Sequence, residues 1–130
     1  MDSKELLKMA VQAADGRRAE DITALKVDAI TPMADYFVIM TGGSNRQVQA
    51  IANAIIEAAH ENGVDIKSVE GKQEAQWVLI DLGDVVVHVF REETRHYYNL
   101  EKLWSDAPLV DLSEWVKNNH DLRNVCPAVR

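Results

Sequence analysis

One cysteine, Cys126, is the whole thiol complement of these 130 residues. A lone thiol closes no internal disulfide, so nothing marks an oxidising compartment. Neither a paired histidine nor a glycine-rich elbow lies near it in sequence, which disfavours a nucleophilic role. Positive charge is also in deficit: 14 Lys and Arg against 21 Asp and Glu leave a net charge of -7. Nucleic-acid binding by phosphate neutralisation needs clustered Lys and Arg, so an RNA-binding module is disfavoured. An acidic chain suits a basic protein partner better, its field mainly raising the association rate. Long apolar runs are missing too. The opening DSKELLKMAVQAAD carries several charges and no long apolar block, so the expectation is a cytoplasmic chain without signal peptide, transit peptide or membrane span. No internal repeat or low-complexity tract is present.

What is there has the length of about one domain and a normal hydrophobic content of 47%. Asp2 and Glu5 have capping-box spacing, and Leu6, Leu7, Ala10, Val11 and Ala14 repeat at helical intervals up to Asp15-Gly16. ITALKV, residues 22–27, alternates with period 2 as a half-buried strand does. After Pro32, ADYFVIMTG is apolar at nearly every position, which predicts a central strand covered on both faces. Val48, Ile51, Ala52, Ile55 and Ala59 then mark an amphipathic helix from Ser44 to about Asn62, ended by Gly63. Residues 64–71 form a weaker strand candidate. EETRHYYNLEKLW predicts helical turns over about 92–104, and DLSEWVKN a short further helix. Strands and helices do not alternate strictly. The expected fold is therefore α/β (α+β): one mixed sheet with a hairpin at one side and helices mainly on one face.

The clearest local signal is AQWVLIDL, then Gly83-Asp84, then VVVHVFRE: a hairpin with a two-residue type II′ or I′ turn. Pairing Leu82 with Val85 puts Val78, Ile80, Val87 and Val89 on one purely aliphatic side that must lie on the core. The other side carries Trp77, Leu79, Asp81, Val86, His88 and Phe90. Either another element of the chain covers this second face, or helices cover one side only and the second face is an interface. Periodicity leaves both open. His88 has no His or Cys companion at metal-ligand spacing, so no metal is expected.

TGGSNRQVQA, residues 41–50, has the look of a phosphate-binding loop at a strand-to-helix junction. It lacks the Lys and spacing of a Walker loop and the third glycine of a dinucleotide fingerprint. A nucleotidyltransferase-like site would need paired carboxylates on the next strand to hold a metal, and the sequence after Ser44 offers none. Ser44 and Gln47 read instead as a second capping box, with Gly42 and Gly43 easing a sharp turn and Asn45 and Arg46 left as a possible secondary contact. A small nucleotide-binding enzyme using Gly42, Gly43 and Ser44 is the alternative reading.

Together, ADYFVIMTGGSNRQVQAIA, Glu70-Gly71, WVLIDLGDVVVHVF and YYNLEKLW resemble the ribosomal silencing factor (RsfS, Iojap) family, over roughly residues 3–108. Gly43 and Gln47 depart modestly, standing where many members carry Thr or Asn and His. The resemblance implies a nucleotidyltransferase-like fold without catalytic residues, no cofactor, and a non-enzymatic translation repressor capable of homodimerising. It also implies docking on the large ribosomal subunit, through its basic ribosomal protein numbered fourteen, with steric exclusion of the small subunit. On this reading Trp77, Leu79, Asp81, His88, Phe90 and Tyr98 bind the partner. Trp77 and Phe90 are the aromatic anchor, and Asp81, with Glu92 or Glu93, faces partner Lys and Arg. Residues 1–108 would be the family domain and 109–130 a C-terminal extension.

Overall fold

Asp2 starts the first helix as its spacing to Glu5 predicts. In the computed structural model, which describes residues 2–94 and 107–116, the Asp2 carboxylate accepts from Glu5 N at 2.8 Å. The Glu5 carboxylate in turn accepts from Asp2 N at 3.1 Å, so two otherwise unpaired N–H groups are satisfied. Helix α1 (Ser3–Asp15) buries Leu6, Leu7, Met9, Ala10, Val11 and Ala14. Gly16 at its end stays right-handed with φ -62°. The left-handed residue of this turn is Arg18, at φ 61°.

Among the described residues, five strands follow the expected order: β1 (Glu20–Lys26), β2 (Tyr36–Gly42), β3 (Ser68–Glu70), β4 (Trp77–Asp81) and β5 (Val85–Arg91), with α2 (Asn45–Glu61) between β2 and β3. They form one sheet in the order β1-β2-β5-β4-β3. β2 and β5 run parallel, and every other neighbouring pair is antiparallel. The expected mixed sheet is thus observed, with one correction. The β4–β5 hairpin does not sit at the side of the sheet, because β5 is the middle strand. VVVHVF is apolar on both faces, which suits an interior strand, and the short β3 takes the edge.

The hairpin register is the one its turn dictates. Trp77 lies opposite Phe90, Leu79 opposite His88 and Asp81 opposite Val86. Leu82 N donates to Val85 O at 2.9 Å, Gly83 has φ +96° while Asp84 keeps a negative φ, and the turn is therefore of the II′ kind. Helix α2 ends at Glu61 with Asn62 as its C-cap, and Gly63 follows left-handed at φ +70°.

Helices α1 and α2 lie on one face of the sheet. There Val38, Met40, Val78, Ile80, Val85, Val87 and Val89 meet Leu7, Val11, Val48, Ile51 and Ile55 in the larger core cluster. A smaller cluster forms on the opposite face from Leu25, Val27, Ala34, Ile39, Phe90 and Ala107. β2 is therefore buried on both sides from Val38 onward, as its apolar run predicts, while Tyr36 and Phe37 stay half-buried. The segment beyond Pro108 packs on the same unit: Lys26 N donates to Pro108 O, and Val110 N to Ala24 O, both at 2.9 Å. Leu112 joins the helix-side core with Trp115 and Val116 against it. The short helix expected at DLSEWVKN is, as far as Val116, a hydrogen-bonded turn on Leu112 O. Glu92 to Thr94 are helical; the rest of the helical segment expected over 92–104, with Tyr98 and Trp104, lies outside the described residues.

Candidate functional site

The second sheet face can be read row by row from strand register. Ser68, Asp81, Val86, Phe37 and Leu25 form one row; Glu70, Leu79, His88, Ile39 and Thr23 form the next; Trp77, Phe90 and Thr41 form the third. Burial divides this array in two. Leu25, Ile39, Thr41, His88 and Phe90 are buried over β1, β2 and β5, where Val27, Ala34 and Ala107 lie in the same cluster. Trp77, Leu79 and Asp81 on β4 are half-buried, and Glu70 on β3 is exposed. The chain therefore covers this face only in part: Phe37, Val86 and Thr23 are half-buried like the β4 residues, and exposure is greatest towards β3.

This placement reassigns two of the expected contact residues. Phe90 is fully buried and His88 is 5% exposed, so neither presents its ring to a partner in this conformation. Both lie beneath Trp77. Its ring stacks on Phe90 with centroids 5.0 Å apart at 28°, and its indole Nε1 donates to His88 Nδ1 at 3.1 Å. Phe37, brought in by the parallel β2–β5 pairing, meets His88 edge-on at 5.4 Å. Burial pushes the His88 pKa down from 6.5 to about 4, because desolvation penalises the charged ring. The histidine is neutral at pH 7. Asp81 is partly occupied as well: one carboxylate oxygen accepts from Gly83 N at 2.8 Å and so helps hold the hairpin turn.

The backbone leading into Trp77 is tightly shaped. Gly71 has φ +79°, and a Cβ there would run into the backbone carbonyl of Trp77. Ala75, also left-handed at φ 57°, donates its N–H to Gly71 O at 2.9 Å. Arg91 N bonds Gln76 O at 2.9 Å. Glu70-Gly71 was legible as a motif, but its use, letting the β3–β4 connection pass close under Trp77, was not.

The glycine loop serves structure. Ser44 Oγ accepts from Gln47 N at 3.1 Å, an N-cap as expected. The reciprocal half of the box is displaced: Gln47 Oε1 accepts from Gly43 N at 3.0 Å, while its Nε2 donates to Arg18 O at 3.1 Å. Gln47 therefore ties the loop to the α1–β1 turn. Gly42 is needed for close approach and not for a left-handed turn, since a Cβ there would lie 2.8 Å from Val48 Cγ2. Asn45 Oδ1 accepts from Arg91 Nη1 at 2.7 Å, and Arg91 also pairs with Glu93 at 2.9 Å. Arg46 is exposed. Among the described residues no group of three or more His, Cys, Asp or Glu side chains could hold a metal ion, and no helix is long and apolar enough to cross a membrane.

Comparison with known proteins is decisive for the family. Residues 1–126 match the family described as "Ribosomal silencing factor during starvation". The chain belongs to the ribosomal silencing factor (RsfS) family. It is 59% identical over 112 residues to the ribosomal silencing factor RsfS of Bacillus subtilis, covering 86% of this chain and 95% of that one. A crystal structure from Bacillus halodurans, 52% identical, superposes with a TM-score of 0.77 over 84% of this chain and 99% of its own. A more distant relative, 31% identical over 102 residues, is the mouse mitochondrial assembly of ribosomal large subunit protein 1, matched over 76% of this chain and 45% of that protein. RsfS proteins are ribosome-associated regulators of translation, not enzymes.

Proposed function

We propose that this chain silences translation in the cytoplasm by docking the open side of its second sheet face on the large ribosomal subunit, so that the small subunit cannot join. The partner is the subunit's basic protein numbered fourteen, at the surface that meets the small subunit. The anchor is Trp77 with Leu79, and Asp81 and Glu70 form an acidic rim. Phe90 and His88 act from below by holding the anchor, and Tyr98 completes the contact. Asn45 and Arg46 form a secondary contact.

The observation that carries this reading is Trp77: a large aromatic left only partly buried on a sheet face although stacking and a hydrogen bond hold it in place. Rigid aromatics in partly apolar surroundings are the usual hot spots of protein interfaces. The net charge of -7 favours fast encounter with a basic ribosomal surface. Family membership and the mouse relative's name, which ties that protein to assembly of the ribosomal large subunit, both support a ribosomal partner.

Subunit joining measures this function directly. Purified large subunits preincubated with the protein, then mixed with small subunits, should give fewer joined ribosomes on a sucrose gradient, with the protein in the large-subunit peak. Normal joining with the protein bound to large subunits would rule out steric exclusion.

A further inference from the structure

The hydrogen bond from Trp77 Nε1 to His88 Nδ1, at 3.1 Å, fixes more than a rotamer. An indole nitrogen can only donate, so Nδ1 of His88 is the unprotonated nitrogen and the ring proton sits on Nε2. That Nε2 is buried and, among the described residues, has no hydrogen-bond partner. A buried donor left unmatched costs stability, and a phenylalanine of similar size would avoid the loss. What histidine adds at this position is therefore the Nδ1 acceptor. Burial keeps that lone pair available by holding the ring neutral, its pKa pushed down to about 4.

We infer that His88 is a positioning residue for the docking face: it takes up the indole N–H of Trp77, locks the ring against Phe90, and leaves only apolar indole surface for the partner. This rests on the docking reading above for its consequence, though not for the hydrogen bond itself. The physical gain has two parts. A free indole N–H at an interface must shed water and then find an acceptor on the partner, or be buried unsatisfied. A side chain already held in one rotamer also loses less conformational freedom on binding. The surrounding geometry acts in the same direction, with Phe37 edge-on to His88 at 5.4 Å and Gly71 admitting the Trp77 carbonyl where a side chain would collide. His88 then strengthens binding without touching the partner.

Two measurements test this. In the ¹⁵N-labelled parent protein, His88 should show the Nε2–H tautomer, and the indole N–H of Trp77, assigned by its loss in Trp77→Phe, should exchange slowly with solvent. An Nδ1–H tautomer would overturn the inference without any variant. Binding to purified large subunits is then compared across His88→Phe, His88→Asn and Trp77→Ala. His88→Phe should free the indole N–H to exchange and weaken binding about ten-fold, which is about 1.4 kcal/mol. His88→Asn, whose Oδ1 falls near the Nδ1 position, should restore both. Loss of binding with Trp77→Ala but not with a folded His88→Phe overturns the positioning role alone. Undiminished binding by Trp77→Ala overturns the docking reading and the positioning role with it.

Discussion

Gly71 and the backbone carbonyl of Trp77 lie so close that no side chain fits between them. The β3–β4 connection thus fixes where β4 begins, at Trp77. Gly63, equally left-handed at φ +70° but with open space around it, is the natural control. Gly63→Ala should cost only its conformational strain, about 1 kcal/mol. Gly71→Ala adds a backbone collision to the same strain and should cost about 2–4 kcal/mol. Urea unfolding of the two variants, with the Trp77 indole resonance followed by NMR, separates them: only Gly71→Ala should move that resonance.

His88 makes stability depend on pH with a definite sign. Its folded pKa is about 4, below the ordinary 6.5, so above pH 6.5 both states are neutral and the contribution is constant. Between pH 6.5 and 4 the unfolded chain gains a proton that the folded chain does not, and stability falls. Below pH 4 the loss levels off. Its full size is about 3 kcal/mol, at about 1.4 kcal/mol per pKa unit. Unfolding curves of the parent and His88→Asn across this window should converge as pH falls, because the variant lacks this titration. Parallel curves would mean that His88 is not held neutral.

The loop at residues 41–47 should behave as a cap. Ser44→Ala removes the acceptor for Gln47 N and should cost about 1 kcal/mol. Gln47→Ala should cost a similar amount through its bonds to Gly43 N and Arg18 O. Neither change should alter ribosome binding. The parent's melting temperature should not rise with ATP, CTP and a divalent metal, whereas a nucleotide site would raise it by mass action.

Features set by neighbours in the chain were legible in the sequence, and those set by distant neighbours were not. The α1 capping box, the Val48–Ala59 stripe and the Trp77–Phe90 register depend on spacing and one turn, and all stand in the structure. Parallel pairing of β2 with β5 does not follow from any local pattern. It makes β5 the middle strand, brings Phe37 to His88, and places Phe90 under cover instead of on the surface. The same holds for Gly42 and Gly71, whose spacing marks turns but whose necessity comes from Val48 and Trp77. The unusual second face was visible as an odd alternation in the hairpin. Which of its residues are covered and which half-buried needed the fold.

The most direct measurement is co-sedimentation of Trp77→Ala with purified large ribosomal subunits, after circular dichroism and a melting curve show the variant folded. Loss of the partly buried anchor should weaken binding by at least about 30-fold, or 2 kcal/mol, the scale of an aromatic hot spot. A folded Trp77→Ala protein that sediments with large subunits as fully as the parent would contradict the account.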